Sequence, residues 1–218
     1  MPARRSDALD RFVNALTPSE RRLWRGLTTP IKIQNFLDTI PYTGEERYRC
    51  PLTFLRDRTG HCFDGALFAA AALRAIGHPP LWVDLIPGDD DDHILAVFKR
   101  NGGWGAVAKS NFSGLRYREP VYRSLRELAM SYFEDYFNLA YKRALRGYTR
   151  PLNLARFDRI DWLTSDAGLD DIGVALGEIP SYRLLTPAQV RALNPVDERT
   201  FNAAALGADL SESYMPTT

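Results

Sequence analysis

Over residues 6–40 apolar positions recur with a helical period, predicting three short helices. Thr17-Pro18-Ser19-Glu20 marks one start, with a capping threonine, proline at the first helical position and glutamate three residues after the cap. Thr29-Pro30 opens the third. Residues 43–49 are a polar loop, and Pro51 to Arg56 predicts a further turn of helix. The most apolar stretch follows, RTGHCFDGALFAAAALRAIGHPP at residues 58–80. It predicts a helix from about Cys62 to Ile76, stopped by Gly77 with Pro79 and Pro80 beyond.

Leu81 to Ile86 predicts a strand closed by Pro87-Gly88, and a four-aspartate loop comes next. The β-prone runs 93–99 and 104–109 are joined by Arg100-Asn101-Gly102-Gly103, a hairpin signal. Ser124 to Asn138 predicts an amphipathic helix carrying Tyr132, Phe133, Tyr136 and Phe137, aromatic residues suited to packing on a sheet. Thr186-Pro187-Ala188-Gln189 repeats the capping box, and the tail SESYMPTT is expected to fray. The order implies an α+β fold. We expect one domain over 1–218, with a helical part at 1–50, a core at 51–122 and a mostly helical part at 123–218.

Composition narrows the partners. With 45% hydrophobic and 25% charged residues, the chain can bury a real core. Its 28 basic and 27 acidic residues give a net charge of +1, which offers nothing to nucleic acid or an anionic membrane. No apolar run approaches the roughly 20 residues needed to span a bilayer. The start MPARRSDALDRF has two arginines without the apolar stretch of a secretory signal. Two cysteines are too few for a disulfide framework, so both are expected reduced, in a cytoplasm.

One of those cysteines, Cys62, stands at the mouth of the most helix-like segment. A cysteine attacks as thiolate, and a helix N-terminus lowers its pKa through free N–H groups and the dipole. Gly60 lets the chain enter that turn closely. A base is also required. Of the three histidines, His61 adjoins Cys62 and points elsewhere. His78 lies at the far end of the helix, roughly 24 Å away at 1.5 Å per residue. His93 opens a strand after a loop that can return to the helix start, so elimination leaves it as the base. Taken alone, the same two residues also fit a buried cysteine and a surface histidine at a hairpin end.

The segment 55–112, about a quarter of the chain, resembles the core of the transglutaminase-like superfamily, relatives of papain-like cysteine proteases. Gly60, Cys62, Asp64, Ala66, Leu73, Gly77, Pro79, His93, Gly103 and Trp104 follow that family's order. The resemblance implies Cys62 as nucleophile and His93 as base, on a helix packed against an antiparallel sheet, in a bacterial-type member. It also implies a cysteine-dependent amide or peptide bond hydrolase, or an acyltransferase, working through a thioester. The substrate would be a peptide, a protein or a small amide. The family usually carries an aspartate four residues after the tryptophan, where this chain has Ala108. Strand parity and the hairpin set Ser110 opposite His93 as the ring's orienting group. Asn111 would serve through a bulge, and Asp84 on the neighbouring strand is a third candidate.

Trp104 and Arg118 are candidate substrate contacts, a solvated strand charge being the other reading of the arginine. The Cys62 N–H can contribute to an oxyanion hole, with no side-chain partner just upstream. Cys50, in an Arg-Cys-Pro turn without a helix terminus or base, reads as an unreactive half-buried core residue. Consecutive aspartates at 89–92 point alternately, which argues for a solvated loop over a metal site; no metal or cofactor is expected. Glycine-rich phosphate loop, HExxH and CxxC motifs are all missing. The competing readings are a non-catalytic scaffold of the same fold and, further off, a metal-binding regulatory module.

Overall fold

The computed structural model describes residues 7–216. The first half of the MPARRSDALDRF segment and the last two residues of the tail lie outside them. Five helices lead the chain: α1 (Asp7–Ala15), α2 (Pro18–Gly26), α3 (Pro30–Leu37), α4 (Pro51–Asp57) and α5 (Cys62–Ala75). The capping box of α2 forms as expected, with Thr17 Oγ1 accepting from the Glu20 N–H at 3.3 Å and the Glu20 carboxylate from the Thr17 N–H at 2.7 Å. Cys50 corrects its reading, because it is itself the cap of α4 and fully buried, its sulfur accepting from the Thr53 N–H at 3.4 Å.

Helix α5 is buried on every side from Cys62 to Leu73, as a helix apolar at every one of these positions but Asp64 must be at the centre of a domain. It ends where expected, on Gly77 at φ 97, a left-handed position that suits glycine. Gly65 is a close approach: a Cβ there would come within 2.3 Å of Lys109 Cβ.

The strands are β1 (Leu81–Pro87), β2 (His93–Arg100), β3 (Gly103–Val107), β4 (Arg118–Tyr122), then after helix α6 (Leu125–Met130) β5 (Leu145–Thr149) and β6 (Leu152–Asn153). Helix α7 (Leu169–Gly177), strand β7 (Ser181–Arg183) and helices α8 (Pro187–Arg191) and α9 (Glu198–Ala204) complete the chain. The sheet is antiparallel in the order β4-β3-β2-β1-β5-β7, with β6 also on β1. The β2–β3 hairpin turns on Asn101 (φ 50) and Gly102 (φ 84), a two-residue turn whose twist matches the strands. Along β2, Ile94, Ala96 and Phe98 join α5 in the main core. Leu95 and Val97 belong to a second core with Tyr132 and Tyr136 on the other face. The structure is thus α+β, with Cys62 at the start of a central helix on an antiparallel sheet.

The 123–218 part adds β5, β6 and β7 to the sheet beside helices α6, α7, α8 and α9. Two expectations for this half are corrected. The helix expected over Ser124–Asn138 stops at Met130. Beyond it the tyrosines bond across the fold instead: Tyr132 donates to Leu115's neighbour Arg116 (carbonyl, 2.8 Å), and Tyr136 to the carbonyls of Leu85 (3.3 Å) and Asp91 (2.5 Å). Aromatic burial and these bonds outweigh a continued helix. The tail does not fray through Ser213. Asn111 Nδ2 donates to the Asp209 carbonyl (2.6 Å) and Ser213 Oγ (2.7 Å), and the Glu212 carboxylate accepts from the Gly44 N–H (2.6 Å).

Candidate active site

Cys62 and His93 both line a cleft of about 920 Å³. Cys62 is the first residue of α5 and 8% exposed. Its thiol donates to the Asp92 carbonyl at 3.5 Å, and the Ile94 N–H faces the sulfur, so it lies against the main chain on both sides of His93. The helix start does not lower this thiol's pKa. Burial first, then the charges of Asp91, Asp84 and Asp64, hold it well above the usual range. The helix start is capped by the residue before the cysteine: the His61 ring Nδ1 accepts from the Phe63 N–H at 3.2 Å, and the Asp64 carboxylate accepts from the His61 N–H at 3.3 Å. The Phe63 N–H is thereby taken by the cap and not by the sulfur.

His93 is 4% exposed and its Nε2 sits 2.6 Å from the Leu115 carbonyl. A carbonyl only accepts, so Nε2 carries the proton and Nδ1 keeps its lone pair. Tyr132 and Tyr136 meet the ring edge-on at 6.4 and 6.2 Å. Burial, with a smaller push from Arg118, lowers the imidazole to about 4, so it is neutral at rest. No hydrogen bond joins the sulfur to the ring among the described residues; they share a wall of the cleft.

The orienting group is corrected. Ser110 and Asn111 both line the cleft, but Ser110 Oγ accepts from the Phe112 N–H (3.1 Å) and Asn111 holds the tail. Pairing in the β2–β3 ladder ends at Ala96–Val107, before the register can bring Ser110 to His93. The ring is held by the main-chain carbonyl of Leu115, in the short 3-10 turn Ser113–Leu115. A backbone carbonyl carries no mark in a sequence. Ala108 is buried, and its own N–H and carbonyl are bound by the Gln34 amide.

The two substrate contacts are also corrected, because neither Trp104 nor Arg118 lines the cleft. Trp104 lies under Lys99, its ring centroid 5.4 Å from Nζ. Arg118 is a clamp of the fold, bound to Asp135 (3.0 Å) and Ser131 Oγ (3.1 Å) and stacked 4.0 Å from the Tyr132 ring. Asp84 does line the cleft. It is 6% exposed, its Oδ1 has no hydrogen-bond partner among the described residues, and burial followed by Asp92 and Asp91 raises it to about 7.

Tyr42 is the residue that sequence reasoning missed. An isolated parallel bridge to Gly60 holds it beside the start of α5, and the Cys62 N–H faces its hydroxyl. A Cβ at Gly60 would meet the Phe54 ring at 2.7 Å, so this approach needs glycine. The lone tyrosine after Pro41 offered no pattern to find it by.

Among the described residues no group of three or more His, Cys, Asp or Glu is arranged to hold a metal ion, and no helix is long and apolar enough to cross a membrane. No protein-family profile matches the chain, and no curated protein does. Solved structures of LapG from Legionella pneumophila are similar to part of it. The calcium-bound form aligns with a TM-score of 0.35 and 15% identity over 46% of this chain and 68% of that one. The EGTA-treated form gives 0.34 and 16% over 46% and 67%, and a third structure 0.35 and 16% over 49% and 71%.

Proposed function

We propose that this protein is a transglutaminase-like cysteine enzyme acting on an amide or peptide bond, with Cys62 as nucleophile and His93 as base. The observation that carries the reading is that the free thiol and the imidazole line one cleft, with the ring tethered at Nε2 and its Nδ1 lone pair unspent. His93 Nδ1 takes the thiol proton as the sulfur attacks the carbonyl carbon. The resulting oxyanion meets the Cys62 N–H and the Tyr42 hydroxyl. His93 then returns its proton to the leaving amine as the C–N bond breaks, giving an acyl-thioester. Water or a second amine takes the acyl group, and the thiol is restored.

A neutral thiol beside a neutral imidazole favours a second reading, a binding or scaffold domain that keeps the fold without the chemistry. Alkylation with iodoacetamide at neutral pH separates the two. The enzyme reading expects Cys62 to label faster than Cys50 and the His93→Ala protein to lose that advantage. Equal, slow labelling that ignores His93 supports the scaffold.

A further inference from the structure

We propose that the cleft receives the ammonium or guanidinium group of a lysine or arginine side chain of a polypeptide substrate, seated against Asp84 and the Asp90–Asp92 loop beside Cys62. This deepens the catalytic reading and rests on it for the placement of substrate at Cys62. Asp84, Asp90, Asp91 and Asp92 line the cleft with Glu46 and Asp170, and no lysine or arginine lines it. None of these six forms an ion pair with a lysine or arginine among the described residues, whereas Glu45, also on the lining, is matched to Arg49, and Asp89 nearby to Lys142. Such an imbalance is local, because the whole chain carries a net charge of +1.

Asp84 points independently to a ligand. It is more than nine-tenths buried, it lines the cleft, and its Oδ1 is without a partner. A buried carboxylate oxygen left bare is unfavourable, and a cation from outside the chain is what satisfies it. A metal ion is the poorer occupant, since no three ligating side chains of the described residues converge. A small free amine is too little for the space. About 920 Å³, with Tyr48, Phe63 and Phe112 among its walls, matches several residues of chain around one charged group.

The test is calorimetric titration of the Cys62→Ala protein, which binds without turning over. The probes are a blocked heptapeptide with a central lysine, its norleucine counterpart, spermidine and calcium chloride. The lysine peptide is expected to bind at least about tenfold more tightly than the norleucine peptide. That advantage should disappear in Asp84→Asn and in the double variant Asp91→Asn/Asp92→Asn, whose positions are exposed and whose fold is not at stake. Equal affinity for the two peptides overturns the proposal, as does binding of spermidine or calcium without the lysine peptide. Selective binding with no turnover by the unaltered protein removes the catalytic reading and leaves this one standing. Turnover without preference for lysine removes this one alone.

Discussion

Two helices of this protein start at a cysteine, Cys50 as the cap before α4 and Cys62 as the first residue of α5, and their surroundings differ. At α4 the cysteine is the cap: Cys50 sulfur accepts from the Thr53 N–H, its thiol donates to Thr53 Oγ1 (3.3 Å), and its own N–H goes to Asp166 (2.9 Å). Burial pushes that thiol up to about 11, and Cys50 does not line the cleft. At α5 the preceding residue caps, through the His61 ring, so the sulfur one position later is turned onto the cleft wall. A helix N-terminus offers both thiols the same dipole. What separates them is which residue satisfies the free N–H groups, and whether a cavity lies in front of the sulfur.

The largest effect expected from this contrast is on turnover of a fluorogenic lysyl-peptide amide. Cys62→Ala should lose on the order of 10⁴-fold or more, as loss of a nucleophile does. Cys50→Ala should keep its turnover while losing about 1–2 kcal/mol in urea denaturation, because it removes a cap and leaves a small void. A folded Cys50→Ala protein without turnover would erase the distinction. Next in size, His93→Ala should slow alkylation of Cys62 by about 100-fold and leave Cys50 unchanged.

A pH effect sharpens the comparison further. Burial and neighbouring acids raise Asp84 from 3.8 to about 7, so ionising it in the fold costs stability. A group whose folded pKa is raised contributes its full stability below the unfolded pKa, and that contribution is lost as pH rises through the folded one. Asp84→Asn should therefore match the unaltered protein near pH 4 and exceed it by a few kcal/mol at about pH 8, read from denaturant midpoints. A gain that does not depend on pH would show that Asp84 is not strained by ionisation. The smallest effect is expected of Ser110→Ala. Cys62 alkylation should stay within about twofold, because the Leu115 carbonyl holds the base. A larger loss would return Ser110 to the orienting role.

The amino-acid sequence by itself determined what depends on near neighbours. The capping box at Thr17, the α5 stop at Gly77 and the Asn101-Gly102 turn are local bonds and dihedrals, and all form where the pattern put them. The apolar run 62–73 likewise marks a helix that must be central. The short strands β5, β6 and β7 carry no such local signal. β5 and β6 exist because the exposed edge of β1 needs main-chain partners, and β7 in turn pairs with β5.

Tertiary structure alone decided the rest of the site. Trp104 and Arg118 were turned into supports, since the strands that carry them face the second core and its neighbours rather than the cleft. The histidine's tether is a main-chain carbonyl, which every residue possesses, so its choice of Leu115 rests on where the chain passes and not on side-chain type. Tyr42 and Asp84 reach Cys62 the same way, through a bridge to Gly60 and through strand pairing. The sign of the thiol's shift was decided there too. A helix start read from sequence favours the thiolate, but burial and three carboxylates, Asp91 and Asp84 from distant positions and Asp64 from the same helix turn, hold the thiol up.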